Sequence, residues 1–181
     1  MSLSSLLHWF YCLDYQDLFL LISLATVFYL WLVPMILNKQ IYQALNQGLF
    51  MLWILLIIII TIHGRTTTLS SPNFQPFHSY KEALETGNVE IYRSNLMNFL
   101  LFYPLGLFGF GWFKKRPYII LSVTLAALCM SIVIELIQYK FMLGHTEIDD
   151  VIHNTLGAFS GITLACVTRN ASERNSDEPC H

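Results

Sequence analysis

The sequence predicts an all-α fold: a polytopic bundle of about five transmembrane helices. Three observations carry that expectation. The chain is 55% hydrophobic and only 12% charged, about half the ~25% charge of an ordinary soluble domain. Apolar runs of roughly 18 or more residues recur along it, the length needed to cross a hydrocarbon layer of ~30 Å. Its polar residues are also concentrated at the ends of those runs, most densely in Ile134 to Gly161, IELIQYKFMLGHTEIDDVIHNTLGAFSG.

Residues 1–17 contain the apolar, aromatic segment SLLHWFYCL, too short to span and expected to lie along an interface. They have no Lys or Arg, and Asp14 and Asp17 break any apolar stretch, which argues against a cleavable signal peptide. The expected spans are residues 18–37, with Pro34 near the end, 45–62, with the run ILLIIIITI, 96–113, with Pro104 expected to bend it, 117–139 and 151–168. Trp9, Trp31, Trp53 and Trp112 are assigned to interfacial belts.

Orientation follows from the basic residues of the short loops. The cluster Lys114-Lys115-Arg116 is placed in the cytoplasm, which carries Lys39, Arg169 and Arg174 to the same side. Arg65, Lys81, Arg93 and Lys140 fall on the other side. The N-terminus is therefore expected outside and the C-terminus inside. The long loop 64–94 then faces outward, with a short helix around KEALE: Ser79 and Glu82 would form a capping box, and Gly87-Asn88 would stop it. Residues 169–181 read as a polar, unstructured cytoplasmic tail, where the sequon Asn170-Ala171-Ser172 is a chance match.

Other features exclude function classes. No basic patch suggests nucleic acid as a partner. Cys12, Cys129, Cys166 and Cys180 form neither a disulfide framework nor a CxxC pair. No nucleophile signature such as GxSxG is present. Five spans without repeated halves make a poor secondary transporter unless the chain oligomerises, so a homo-oligomer or a membrane partner remains an open reading.

The topology brings the polar residues together. Glu135 and Gln138 lie near the outer end of the fourth span, and Asp149, Asp150, His153 and Asn154 at the mouth of the fifth. His63 and Arg65 end the second span outward, and Asn95 and Asn98 begin the third. Glu135 and Gln138 share one helix face, and Asp150 and Asn154 another. Below Asn154 the same face continues as Gly157, Gly161 and Ala165, a small-xxx-small stripe suited to close helix packing, while Asn98, Phe102 and Gly106 align likewise.

These residues resemble the signature of VanZ-like membrane proteins. E-x-x-Q is followed by G-x-x-x-I-D-D-x-x-x-N-T-L-G-A, and upstream stand Arg65, Pro76-Phe77 and the stretch N-F-L-L-F-Y-P-L-G from Asn98 to Gly106. The resemblance implies a multi-pass protein of the bacterial cell membrane, in a family named for association with resistance to the glycopeptide teicoplanin. It implies a process and does not specify a reaction. One departure is His145, where the family often has Arg; a histidine grips an anion only in its protonated form.

Two readings of the polar set follow. In one, Arg65 or His145 neutralises a carboxylate while Gln138 and Asn154 bond across helices. Such bonds measure only about 0.6 kcal/mol on average, however, and burying carboxylates in a membrane costs considerably more. The preferred reading is a ligand site lined by Arg65, Asn98, Glu135, Gln138, His145, Asp149, Asp150 and Asn154. Its expected partners are the bilayer and an envelope lipid or lipid-linked glycan at the outer leaflet. Glu135 or Asp150 could act as a general acid or base. No cofactor is expected, although Glu135, His145, Asp149 and His153 could hold a divalent cation. The rival from another class is a non-catalytic scaffold that docks a partner helix on the Gly157–Gly161 stripe.

Overall fold

The computed structural model describes residues 38–63, 71–112 and 118–176. The expectations for residues 1–37, for Arg65 and for the Lys114-Lys115-Arg116 cluster lie outside these described residues. Within them the fold is helical, with one isolated parallel bridge between Asn73 and Glu147.

The first helix, α1, runs Lys39–Ile58 and widens into a π-helical turn, Ile59–His63. Asn38 caps its start by accepting from the Gln40 amide at 3.2 Å. At the other end the Thr61 hydroxyl donates to the Ile57 carbonyl at 2.7 Å, which satisfies a polar group inside an apolar segment. The loop helix α2 spans His78–Thr86 and stops at Gly87, whose φ of 67° provides the left-handed C-cap expected of that residue. Its start is not the expected capping box: Phe77 is the N-cap residue, with φ 62° and no cap bond from its side chain.

Helix α3 spans Val89–Trp112 and continues through Pro104. It begins seven residues before the expected Leu96, because the stretch before the apolar run is also helical. Helix α4, Ile119–Phe141, is framed by two left-handed residues, Tyr118 and Met142, and the Met142 amide bonds back to the Gln138 and Tyr139 carbonyls. Helix α5 runs Ile148–Ser176, with Asp149 and Asp150 in the first turn, where carboxylates complement the helix dipole. The helix therefore persists well into the stretch expected to be an unstructured tail.

Three described helices are long and apolar enough to cross a membrane: Gln43–Ile62, Ile119–Phe141 and Ile148–Thr168. Helix α3 is long enough, at 24 residues or about 36 Å, but Asn95, Asn98, Pro104 and its glycines reduce its apolarity. It also supplies much of the core. Leu101, Phe102, Leu105 and Phe108 are buried with Trp53 and Ile57 of α1, Ala127 and Ile134 of α4 and Ala158 of α5. Trp53 is thus a core residue and not part of an interfacial belt, and its Nε1–H donates to the Leu101 carbonyl at 2.8 Å. The outward residues of α1 and α4, among them Met51, Leu52, Leu55, Leu125, Val133 and Leu136, are apolar and exposed, as a lipid-facing surface requires.

Glycines set the closest helix contact. A Cβ on Gly157 would overlap the Phe99 carbonyl oxygen, one on Gly161 the Tyr103 carbonyl oxygen, and one on Gly106 the Ala158 carbonyl oxygen. Gly157 pairs with Phe99 and Gly161 with Tyr103 at one constant offset, so α3 and α5 lie parallel with their backbones in contact. The N-termini of α3 and α5 therefore share one end of the bundle. The C-terminal ends of α1 and α4 join them there, since Gln138 bonds to Thr61 and Glu135 to Glu147. The loop 71–88 closes this end.

Candidate functional site

Two polar assemblies occupy the loop end. The first is built on Asp149, in the first turn of α5. One carboxylate oxygen accepts the Phe77 amide at 2.6 Å, and the other accepts the Ser79 amide at 2.8 Å and the Ser79 hydroxyl at 2.6 Å. Phe77 adopts its left-handed conformation in this turn, and the Phe77 and Ser79 amides both face the carboxylate, while the His78 amide between them bonds the Gln75 carbonyl. Asp149 thus caps α2 from a distant part of the chain, the task expected of Ser79 locally. Ser79 in turn accepts from the Asn95 side chain at 2.9 Å, so Asn95 supports the loop and neither caps α3 nor lines an open site.

His153 extends this assembly. Its Nδ1 lies 2.6 Å from the Asp149 carbonyl, which can only accept, so Nδ1 carries the proton. The Nε2 on the other side is then available to accept the Tyr80 hydroxyl at 2.7 Å. A parallel bridge adds a second tie: Asn73 donates to the Thr146 carbonyl at 2.9 Å and accepts from the Ile148 amide at 3.0 Å. The loop is therefore fastened to the head of α5 by side chains and backbone together.

The second assembly lies behind the first, among α1, α3, α4 and α5. The Gln138 Nε2 donates to the Thr61 carbonyl at 2.9 Å, one of the carbonyls left free at the end of α1. Glu135, one turn deeper, accepts the Glu147 amide at 3.2 Å. Deeper again, the Asn154 side chain bonds the Ser131 hydroxyl at 2.8 Å. Asn98 is at the same level, since the register of α3 on α5 sets Phe99 against Gly157. Glu135, Gln138, Asp150, Asn98 and Asn154 are all buried. Three of them keep a buried polar atom with no hydrogen-bond partner: Asn98 Nδ2, Gln138 Oε1 and Asn154 Oδ1.

The structure thus separates the expected site residues. Asn98, Glu135, Gln138, Asp150 and Asn154 share the buried interior of the loop end. Asp149 is engaged by the loop, and His145 stands exposed at the turn between α4 and α5. Both Asp149 oxygens and both His153 nitrogens are already bonded, and among the described residues no three His, Cys, Asp or Glu side chains are placed to share a metal. The stripe Gly157–Gly161 faces α3 within the chain, so it is not an open docking face.

Residues that sequence reasoning passed over are Thr61, Ser131, Tyr80 and Glu147. Ser131 had a readable signal, one turn before Glu135 on the same face of α4. Glu147 is partly buried beside the bridge. Its carboxyl is pushed above the usual carboxylate range, mainly by desolvation and further by Asp149 and Glu82, while His145 and His78 pull it down.

Comparison with known proteins points the same way as the motifs. The chain is 36% identical over 94 residues to Protein VanZ of Enterococcus faecium, a match that covers 52% of this chain and 52% of that protein. It therefore spans about half the length of the curated relative it matches. No solved structure matches it significantly. The profile of the VanZ/LLP1 family matches residues 48–169, which cover α3, α4 and the loop end whole and most of α5, with the second half of α1. The chain belongs to the VanZ/LLP1 family.

Proposed function

We propose that this is a bacterial cell-membrane protein that binds or modifies an envelope lipid or lipid-linked glycan at the outer leaflet, and that it thereby lowers susceptibility to teicoplanin. The observation that carries the reading is the buried interior of the loop end, where Glu135 and Asp150 accompany three amides with unpartnered atoms. Unpaired polar atoms in a membrane interior cost several kcal/mol in the bilayer limit. A set that served only to hold helices together would pair them. A polar group entering from the loop end would do so instead. Arg65, outside the described residues, is assigned to the same site as the group that meets an anionic part of the ligand.

The test replaces Glu135 by Gln and Asp150 by Asn, with membrane expression matched to the parent, and measures teicoplanin tolerance. Loss of tolerance in both variants is expected. Tolerance retained in both refutes the site. The scaffold alternative finds no support in the geometry, because its stripe is covered by α3.

A further inference from the structure

The unpartnered atoms say what kind of group the site takes, an inference that rests on the lipid or glycan reading above. The orientation of Gln138 is fixed, because the Thr61 carbonyl can only accept and must face the Nε2. Its Oε1 is therefore an unmet acceptor inside the bundle. Asn154 meets the Ser131 hydroxyl with one end of its amide, and the other end meets nothing. Asn98 adds an unmet donor at the same level. Gln138 and Ser131, which marks the level of Asn154, are seven residues apart on α4, or about 10 Å along the axis.

Two other buried atoms without partners, Asn46 Oδ1 and Thr124 Oγ1, lie toward the opposite end of the bundle. The loop-end trio is thus a distinct group, spread over about 10 Å of the bundle and offering both acceptors and a donor. A phosphodiester has no proton to donate to Gln138 Oε1 at neutral pH, and a choline headgroup carries no donor at all. A hydroxyl both donates and accepts, and a run of hydroxyls spans the separation. We infer that Gln138, Asn154 and Asn98 bind the uncharged, hydroxyl-rich part of a headgroup, of the sugar or polyol class.

The experiment uses the full chain purified in lauryldimethylamine oxide, whose headgroup resembles no sugar, and reconstituted in phosphatidylcholine nanodiscs. Digalactosyldiacylglycerol offers hydroxyls without phosphate, and phosphatidic acid offers phosphate without a polyol. The galactolipid is expected to raise the melting temperature by several degrees and phosphatidic acid to do less. Asn98→Leu is expected to melt no lower than the parent without added lipid, Asn154→Leu to melt lower by the bond it gives up to Ser131, and both to lose the galactolipid shift. A larger shift from phosphatidic acid overturns this inference and leaves the lipid reading standing. No shift from either lipid overturns both. Variants that melt lower while keeping the shift assign the amides to packing and overturn the inference.

Discussion

Replacing Asp149 by Asn should release the loop without unfolding the bundle. The carboxylate accepts three hydrogen bonds, from the Phe77 amide at 2.6 Å and from the Ser79 amide and hydroxyl at 2.8 and 2.6 Å. Bonds to a charged acceptor contribute about 1.5–3 kcal/mol each, so the gross loss is several kcal/mol. An asparagine keeps one accepting oxygen and turns its NH2 toward a donor. Phe77 is exposed and can rehydrate, which offsets part of the loss. A net local cost of about 3 kcal/mol follows, and at 1.4 kcal/mol per decade that is roughly hundredfold faster opening. Hydrogen exchange should report it as faster exchange at Ser79 and through α2, with α3 and α5 protected as before. Unchanged exchange at Ser79 would refute the assignment of Asp149 as the loop's anchor, and a collapse of the whole bundle would refute its being local.

Three further outcomes follow from the same geometry. Gly157→Ala should lower thermal stability by about 1–3 kcal/mol, the usual cost of overpacking, because the new methyl meets the Phe99 backbone and no rotamer relieves it; a denaturation series in detergent checks this. Trp53→Phe should cost about 1–3 kcal/mol through a lost indole volume and a lost bond to Leu101, read as a lower melting temperature. Glu147→Gln should raise the melting temperature at pH 7 and leave it nearly unchanged near pH ~3.5. The sign follows from a folded carboxyl that holds its proton more tightly than the unfolded one. Its contribution is present below the ordinary carboxylate range and declines as pH rises through the raised value.

The helical, membrane-embedded character was legible in the sequence because hydropathy and length decide it, and α1, α4 and α5 fall close to the runs that announce them. The glycine stripe was legible too, since a four-residue spacing of small residues survives translation into a helix face. Its partner was not, because nothing local distinguishes an internal helix from an external one. The cap of α2 shows the limit most clearly. Ser79 and Glu82 satisfy a local rule, yet Asp149, 70 residues away, does the capping. Trp53 misled for a related reason: tryptophan statistics favour interfaces, and its bond to the Leu101 carbonyl exists only once the helices are packed. The acids of the hinge read as one cluster, whereas folding assigns Asp149 to the loop and leaves Glu135 and Asp150 with the amides.

The most direct test of a ligand site at the loop end is an experimental structure of the full chain in nanodiscs containing digalactosyldiacylglycerol. Headgroup density is expected between α3, α4 and α5, within hydrogen-bond distance of Gln138 Oε1 and the Asn154 amide. A dry interior, with Gln138 Oε1, Asn154 and Asn98 each paired to protein, would contradict it.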